Sequence, residues 1–185
     1  REQGASVVVL EAAPASEAGG NSRFTAGAMR VVYNGVDDLR RLMPDLTDDE
    51  VARTDFGTYT ASQFLDDMGR VTQYRTDPDL CEALVTRSYD TLAWMRALGV
   101  RFQPIYGRQA FKVDGRFKFW GGLTVETWGG GPGLVEALTK GALQKGIAIR
   151  YATRAVGLLR EDGRVVGVVA RADGHETTLR ARAVV

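Results

Sequence analysis

The apolar positions change period several times along the chain, and each change marks an element. Val7-Val8-Val9-Leu10 is a continuous apolar run closed by a carboxylate, Glu11. Four apolar residues in succession predict a parallel strand buried on both faces. A polar bridge leads from it into Gly19-Gly20-Asn21-Ser22-Arg23-Phe24-Thr25-Ala26-Gly27-Ala28-Met29, a loop of small and hydroxylated residues. Residues 37–52 mix acids, arginines and spaced apolar side chains, which predicts short surface helices with Asp48 or Thr47 as an N-cap. Tyr59, Phe64, Leu65 and Met68 predict a helix over residues 58–68 that ends at Gly69. Asp77-Pro78-Asp79 reads as a helix start. Leu80, Leu84, Tyr89, Leu92, Trp94, Met95 and Leu98 then recur near the helical period, and Gly99 closes that helix. Trp94 and Met95 read as core packing.

Residues 99–113 read as irregular, with a short extended piece at Val100-Arg101-Phe102. Phe117-Lys118-Phe119-Trp120-Gly121-Gly122 is an aromatic cluster on a glycine hinge. A second glycine run, Gly129-Gly130-Gly131-Pro132-Gly133, opens an amphipathic helix through Leu134, Val135, Leu138, Ala142 and Leu143, which ends at Gly146. Ile147 to Tyr151 predicts a strand. Residues 155–159, 165–170 and 177–185 predict three more, joined at Glu161-Asp162-Gly163-Arg164 and Ala172-Asp173-Gly174-His175, both strong hairpin signals. The elements predict an α/β fold: a strand–helix–strand unit, a mainly helical excursion over residues 31–122, and an antiparallel β-meander over residues 155–185. With no linker in view, residues 1–185 read as one domain. Arg1 to Ala5 reads as the end of a helix and Ala181 to Val185 as a strand just beginning, so both ends look cut.

Composition narrows the classes. With 185 residues, 44% hydrophobic and 25% charged, the chain can build a proper core. A net charge of +1 without a basic cluster argues against nucleic acid. No apolar run reaches the roughly 20 residues that span a bilayer. One cysteine, Cys81, excludes an internal disulfide and fits a reducing compartment; on its helical pattern it reads as inert packing. No metal-ligand spacing occurs.

The candidate chemistry sits at the first strand. A carboxylate at the C-terminal tip of a parallel strand faces the crevice where doubly wound sheets hold ligands, and there it accepts hydrogen bonds from a ribose diol. Glu11 is that acid. The loop after it offers backbone N–H groups with little side-chain bulk, which suits a diphosphate or a flat ring system. Gly129 to Gly133 lacks the Lys-Ser/Thr of a phosphate loop and reads as a structural hinge. His175, the only histidine, sits at an apparent hairpin tip and reads as a surface residue. Arg101, Arg108 and Lys112 read as a solvated face.

Three pieces in order resemble one family: Glu11 with Gly19-Gly20-Asn21-Ser22 and Ala26-Gly27; Gly131-Pro132-Gly133-Leu134-Val135-Glu136-Ala137-Leu138; and Gly163-Arg164-Val165-Val166-Gly167-Val168. The chain resembles the fumarate reductase and succinate dehydrogenase flavoproteins, which bind FAD on a Rossmann-like domain. Asn21 to Arg30, with Tyr33-Asn34-Gly35-Val36 and Phe119-Trp120-Gly121-Gly122, is similar to the FAD-dependent tricarballylate dehydrogenases within that family.

The resemblance implies roles. Glu11, beside Ala12, takes the adenosine ribose hydroxyls. Gly20, Asn21 and Ser22 lie along the diphosphate and ribityl chain. Ala26 and Gly27 run beside the isoalloxazine, and the Ala155 backbone meets the adenine edge. Phe119 and Trp120 fall in a loop covering the substrate side of the flavin. Relatives that attach FAD covalently use a histidine where Asn21 and Ser22 stand, so noncovalent FAD is expected. The family's N-terminal glycine fingerprint is expected before Arg1, and its capping domain, catalytic arginine and histidines beyond Val185. The implied reaction takes tricarballylate to cis-aconitate, by alpha-proton abstraction and hydride transfer to flavin N5, in a cytoplasmic protein whose flavin is reoxidised by a membrane-bound electron-transfer partner at the inner face of the membrane. Fumarate or succinate, a 3-ketosteroid or a corrin precursor are alternative substrates, and a non-catalytic nucleotide-binding module is the alternative of another class.

Overall fold

The computed structural model describes residues 3–119 and 121–185. Along the chain come β1 (Val8–Leu10), a 3₁₀ turn (Gly20–Phe24), β2 (Ala28–Met29), α1 (Val36–Leu42), α2 (Asp48–Ala52) and β3 (Thr54–Asp55). Then follow α3 (Ala61–Thr72), α4 (Pro78–Ala97), β4 (Phe102–Pro104), α5 (Tyr106–Gln109), β5 (Ala110–Val113), β6 (Arg116–Phe119) and β7 (Val125–Thr127). The last elements are α6 (Gly130–Gln144), β8 (Ala148–Arg150), β9 (Arg154–Glu161), β10 (Arg164–Ala172) and β11 (His175–Arg180). The fold is α/β, and it divides into two compact units: residues up to Gly20 with Thr139–Val185, and Asn21–Leu138.

The first unit pairs β1 with β8 in parallel, Val8 opposite Ala148 and Leu10 opposite Arg150. Its other sheet is the antiparallel meander β9-β10-β11. Both hairpins turn on Asp-Gly with positive φ at each residue (Asp162 47°, Gly163 77°; Asp173 50°, Gly174 77°), the twist that two-residue hairpins require. Two expectations change here. β1 is not buried on both faces: Val8 is 43% exposed and Val9 41%, because among the described residues β8 is its one sheet neighbour. β11 stops at Arg180, and residues 181–185 carry no strand.

The second unit holds the core. Val31, Tyr33, Leu39, Leu42, Phe56, Tyr59, Val85, Phe102, Ile105 and Val125 are all buried in one cluster. Two small sheets, β2-β7-β4 and β3-β6-β5, carry it with the helices. α2 starts at Thr47 with a capping box, the hydroxyl accepting from Glu50 N and the Glu50 carboxylate from Thr47 N. α3 does not end at Gly69. It continues to Thr72 and closes on Gln73 in the left-handed region, because Gly69 is needed inside it: a Cβ there would lie 2.7 Å from the Tyr74 ring.

α4 starts at its Asp77 cap, as the sequence predicts, but it buries a different stripe. Cys81, Val85, Ser88, Leu92 and Met95 face inward, while Leu80 and Leu84 are exposed and Trp94 is 49% exposed. The core reading of Trp94 is therefore corrected. Spacings of four, three, four and three residues define the stripe, and small Cys81 and Ser88 let the helix approach closely. Ser88 Oγ also accepts from the Val32 amide at 3.1 Å. Residues 99–113 are more regular than expected, holding β4, α5 and the first strand of the β5–β6 hairpin.

Tyr33 anchors this core. Its hydroxyl donates to the Phe56 carbonyl at 2.6 Å. That uses its one proton, so the Thr124 hydroxyl 2.9 Å away donates to it. Burial holds the Tyr33 phenol above its ordinary range. Tyr33→Phe leaves a buried carbonyl and a buried hydroxyl short of a partner, and is expected to cost about 1–3 kcal/mol. Urea unfolding of the variant measures this, and a loss under about 0.5 kcal/mol would show the two groups satisfied elsewhere.

Candidate functional site

In the first unit, β1 delivers Glu11 to a strand tip fixed through both of its backbone groups to the β8 segment. The Glu11 amide donates to the Arg150 carbonyl at 2.9 Å, and its own carbonyl accepts from Thr153 N at 2.9 Å. Backbone pairing thus continues to Glu11 beyond β1 and to Thr153 beyond β8. Ala152 N donates to the Ala13 carbonyl at 2.9 Å and ties the next loop in the same way. The side chain curls over the turn that follows: Oε1 accepts from Ala13 N at 2.8 Å and Oε2 from Gly19 N at 3.5 Å. A carboxylate offers about four acceptor positions, so among the described residues two directions stay open at a half-buried position. Those are the acceptors that two vicinal hydroxyls need. Ala12 is exposed, and a Cβ built on Gly20 would meet nothing within 4 Å. Ala155 lies exposed on β9, opposite Ala170.

In the second unit, the loop from Asn21 to Gly27 is built backbone on backbone. Asn21 and Ser22 are exposed, and Ala26 is half-buried. Thr25 Oγ1 donates to the Ser22 carbonyl at 2.9 Å and accepts from Gly27 N at 3.1 Å. Gly131 N donates to the Thr25 carbonyl at 2.9 Å, and Thr127 N to the Gly27 carbonyl at 2.9 Å. The first turn of α6 lies so close that a Cβ on Gly131 would stand 2.0 Å from the Ser22 carbonyl oxygen. Gly131 is a close-approach glycine. Thr25 and Thr127 carry this loop and were not among the expected site residues; a glycine run directly after a strand is the sequence signal for such an approach.

Phe119 closes β6 rather than lying in a loop. It is buried, stacked on Phe56 with ring centroids 5.5 Å apart and against Tyr106 at 5.5 Å. The expectation for Trp120 falls outside the described residues. His175 is exposed at the start of β11. Arg101 pairs with Asp45 at 2.7 Å and stacks over Trp128, and Lys112 lies over the Phe117 ring. Cys81 is buried. Among the described residues, no group of three or more His, Cys, Asp and Glu is placed to hold a metal ion. No helix among them is long and apolar enough to cross a membrane.

Each unit by itself carries groups that suit FAD: in the first, a fixed carboxylate with exposed small residues after it, and in the second, a loop with exposed polar side chains at Asn21 and Ser22. The probable fumarate reductase Ifc3 of Shewanella frigidimarina is 27% identical over 170 residues, covering 91% of this chain and 25% of that protein. The chain thus spans about a quarter of the length of the curated relatives it matches. The open conformation of a flavocytochrome c3 fumarate reductase superposes with a TM-score of 0.71 at 25% identity, over 100% of this chain and 29% of that one. A 3-ketosteroid-Δ4-(5α)-dehydrogenase from Rhodococcus jostii RHA1 shares the fold, with a TM-score of 0.70 at 21% identity over 98% of this chain and 40% of that one. The sequence profile of the FAD binding domain family matches residues 1–185, the whole chain. This chain therefore belongs to the FAD binding domain family, that of the fumarate reductase and succinate dehydrogenase flavoproteins, and its cofactor is FAD.

Proposed function

We propose that this chain is the FAD-holding part of an oxidoreductase that takes tricarballylate to cis-aconitate. The oxidoreductase class rests on its alignment, over nine-tenths of its length, with named fumarate reductases. The substrate rests on the wording of residues 21–36 and 119–122. Glu11 accepts the adenosine ribose hydroxyls. Asn21 and Ser22 bond the phosphate and ribityl oxygens, with Gly20 giving them room. Ala26 and Gly27 let the backbone reach the ring system, and the Ala155 backbone meets the adenine edge. Of the two aromatic residues expected on the substrate side, Phe119 is taken up by the core packing described above. FAD, when bound, supplies the hydride acceptor at N5, while a base removes the proton alpha to a carboxylate. The pair of electrons then passes to a membrane-bound electron-transfer protein at the inner face of the membrane. One of the relatives is named a fumarate reductase (cytochrome), which favours fumarate or succinate as the second reading.

Because neither Asn21 nor Ser22 can form the histidyl link, the flavin is noncovalent. Acid precipitation of the full-length holoprotein is expected to leave all the yellow colour in the supernatant; colour in the pellet refutes this. Anaerobic mixing with tricarballylate, succinate and a 3-ketosteroid tests the substrate. Bleaching by tricarballylate alone is expected, and bleaching by succinate alone replaces it with the second reading.

A further inference from the structure

The second unit holds a cleft of about 330 Å³ that no FAD assignment uses. Its lining joins two aromatic rings, Tyr106 and Trp128, to three carboxylates, Asp45, Glu50 and Glu126, and neither lysine nor arginine lines it. Each carboxylate has one oxygen engaged. Asp45 Oδ2 accepts from Arg101 Nη2 at 2.7 Å, Glu50 Oε2 from Thr47 N at 2.9 Å, and Glu126 Oε1 from Gln103 Nε2 at 2.8 Å. Among the described residues, the other oxygen of each accepts no hydrogen bond. Alternation along β7 keeps the cleft apart from the loop at Gly27. Glu126 turns to the cleft, whereas Thr127 turns away and its hydroxyl donates to the Gly130 carbonyl.

The chemistry of the lining selects its occupant. Carboxylates without a cation among them call for positive charge, yet among the described residues no such group is placed to hold a metal ion. Aromatic faces beside the acids suit an organic cation, which the ring quadrupole attracts and the acids neutralise. Arg101 displays this pairing within the chain. Its guanidinium stacks over Trp128, 4.7 Å from the ring centroid, while it is bonded to Asp45. Both charged partners are more than half exposed, 59% and 66%, so solvent screens the pair to little net stability. What the contact demonstrates is recognition: the ring and the acid at the edge of the cleft already take a guanidinium. Arg101 does not itself line the cleft, so Glu50 and Glu126 keep their open oxygens for a second cation.

We propose that this cleft is a binding site for a small organic cation, a guanidinium or primary ammonium on a short alkyl stem. The charged head takes the open carboxylate oxygens and the Trp128 ring, and the stem lies on Met43 and Leu46, both buried. A volume of about 330 Å³ stands at the small end of ligand pockets, which restricts the guest to one such chain. The same head is carried by a free amine and by a basic side chain of a peptide.

Calorimetric titration of the full-length holoprotein with butylguanidinium tests the site. Butylurea serves as the neutral analogue of the same shape, and a blocked arginine tripeptide as the peptide form. Butylguanidinium is expected to bind with a Kd of about 1 mM or below, more weakly as salt is raised, and butylurea not to bind. Trp128→Leu is expected to weaken binding by about two- to thirtyfold, and Glu126→Gln by about two- to fivefold. FAD affinity stays unchanged in both. Trp128 is 56% exposed, so its replacement leaves the core intact, and Glu126→Gln retains an oxygen for Gln103. Should Glu126→Gln not fold, Trp128→Leu decides by the same reading. No binding of butylguanidinium well above the expected Kd overturns the proposal, and so does equal binding of butylurea. Unchanged affinity in the variants puts the bound cation elsewhere and overturns the site. Tripeptide binding at least as tight as that of butylguanidinium supports a side chain presented by a protein, and markedly weaker binding supports a free amine.

Discussion

Glu11→Ala is expected to weaken FAD binding by about 1–3 kcal/mol, the scale of hydrogen bonds to a charged group, or roughly 5- to 150-fold in Kd. Both backbone groups of the strand tip are bonded to the β8 segment, at Arg150 and Thr153, so removing the side chain leaves β1 in register. What goes is the carboxylate: the two directions open to ribose hydroxyls, and the acceptor for Ala13 N and Gly19 N. Glu11→Gln separates the parts. It keeps one carbonyl oxygen for the Ala13 amide but turns the other position into a donor, which cannot serve a hydroxyl donor or the Gly19 amide. Its loss should lie between wild type and Glu11→Ala. Flavin fluorescence during titration of apoprotein with FAD measures both variants. Equal affinities across the three proteins would remove the ribose assignment.

The strand-tip position of Glu11 was legible because its signal is local. A four-residue apolar run ending on an acid needs no knowledge of distant residues, and the same holds for β8 and for the Asp-Gly hairpins of the meander. The third Asp-Gly turn, Asp114-Gly115, has the same positive φ values, 50° and 82°. Its flanks, Lys112-Val113 and Arg116-Phe117-Lys118, alternate charge and apolar groups over too few residues to show a period. α4 was legible in extent and not in face. Its inward stripe contains Cys81 and Ser88, whereas Leu80, Leu84 and Trp94 are larger, more apolar and face outward. Hydrophobicity ranks the wrong residues where close packing selects small ones. The bonds of Arg30 to Tyr59, Asp67 and the Gly121 carbonyl lie further from reach, because these partners are 29, 37 and 91 residues away. No spacing rule connects them until β2, α3 and the turn after β6 have been brought together.

Gly27→Ala is expected to destabilise the protein by about 2–5 kcal/mol, combining a left-handed backbone penalty of about 1–2 kcal/mol with overpacking of about 1–3 kcal/mol. Gly27 has φ +71°, and its added Cβ would sit 1.8 Å from Thr127 Oγ1 and 2.9 Å from the Gly130 carbonyl carbon. Thr127 cannot swing aside without loss, since its hydroxyl donates to the Gly130 carbonyl at 2.8 Å. Nor can the backbone withdraw, because Thr127 N is bonded to the Gly27 carbonyl and Gly131 N to that of Thr25. The two contributions separate experimentally. Gly163→Ala has φ +77° with nothing within 4 Å, so it reports the backbone penalty alone. In Gly27→Ala/Thr127→Ala the nearest clash disappears, and the double variant should recover part of the loss beyond additivity. Denaturant unfolding of wild type, these three variants and Thr127→Ala alone reads both contributions. If Gly27→Ala costs no more than Gly163→Ala, the loop from Asn21 to Gly27 is free to move away from α6, and the close packing of the two against each other is not what fixes its shape.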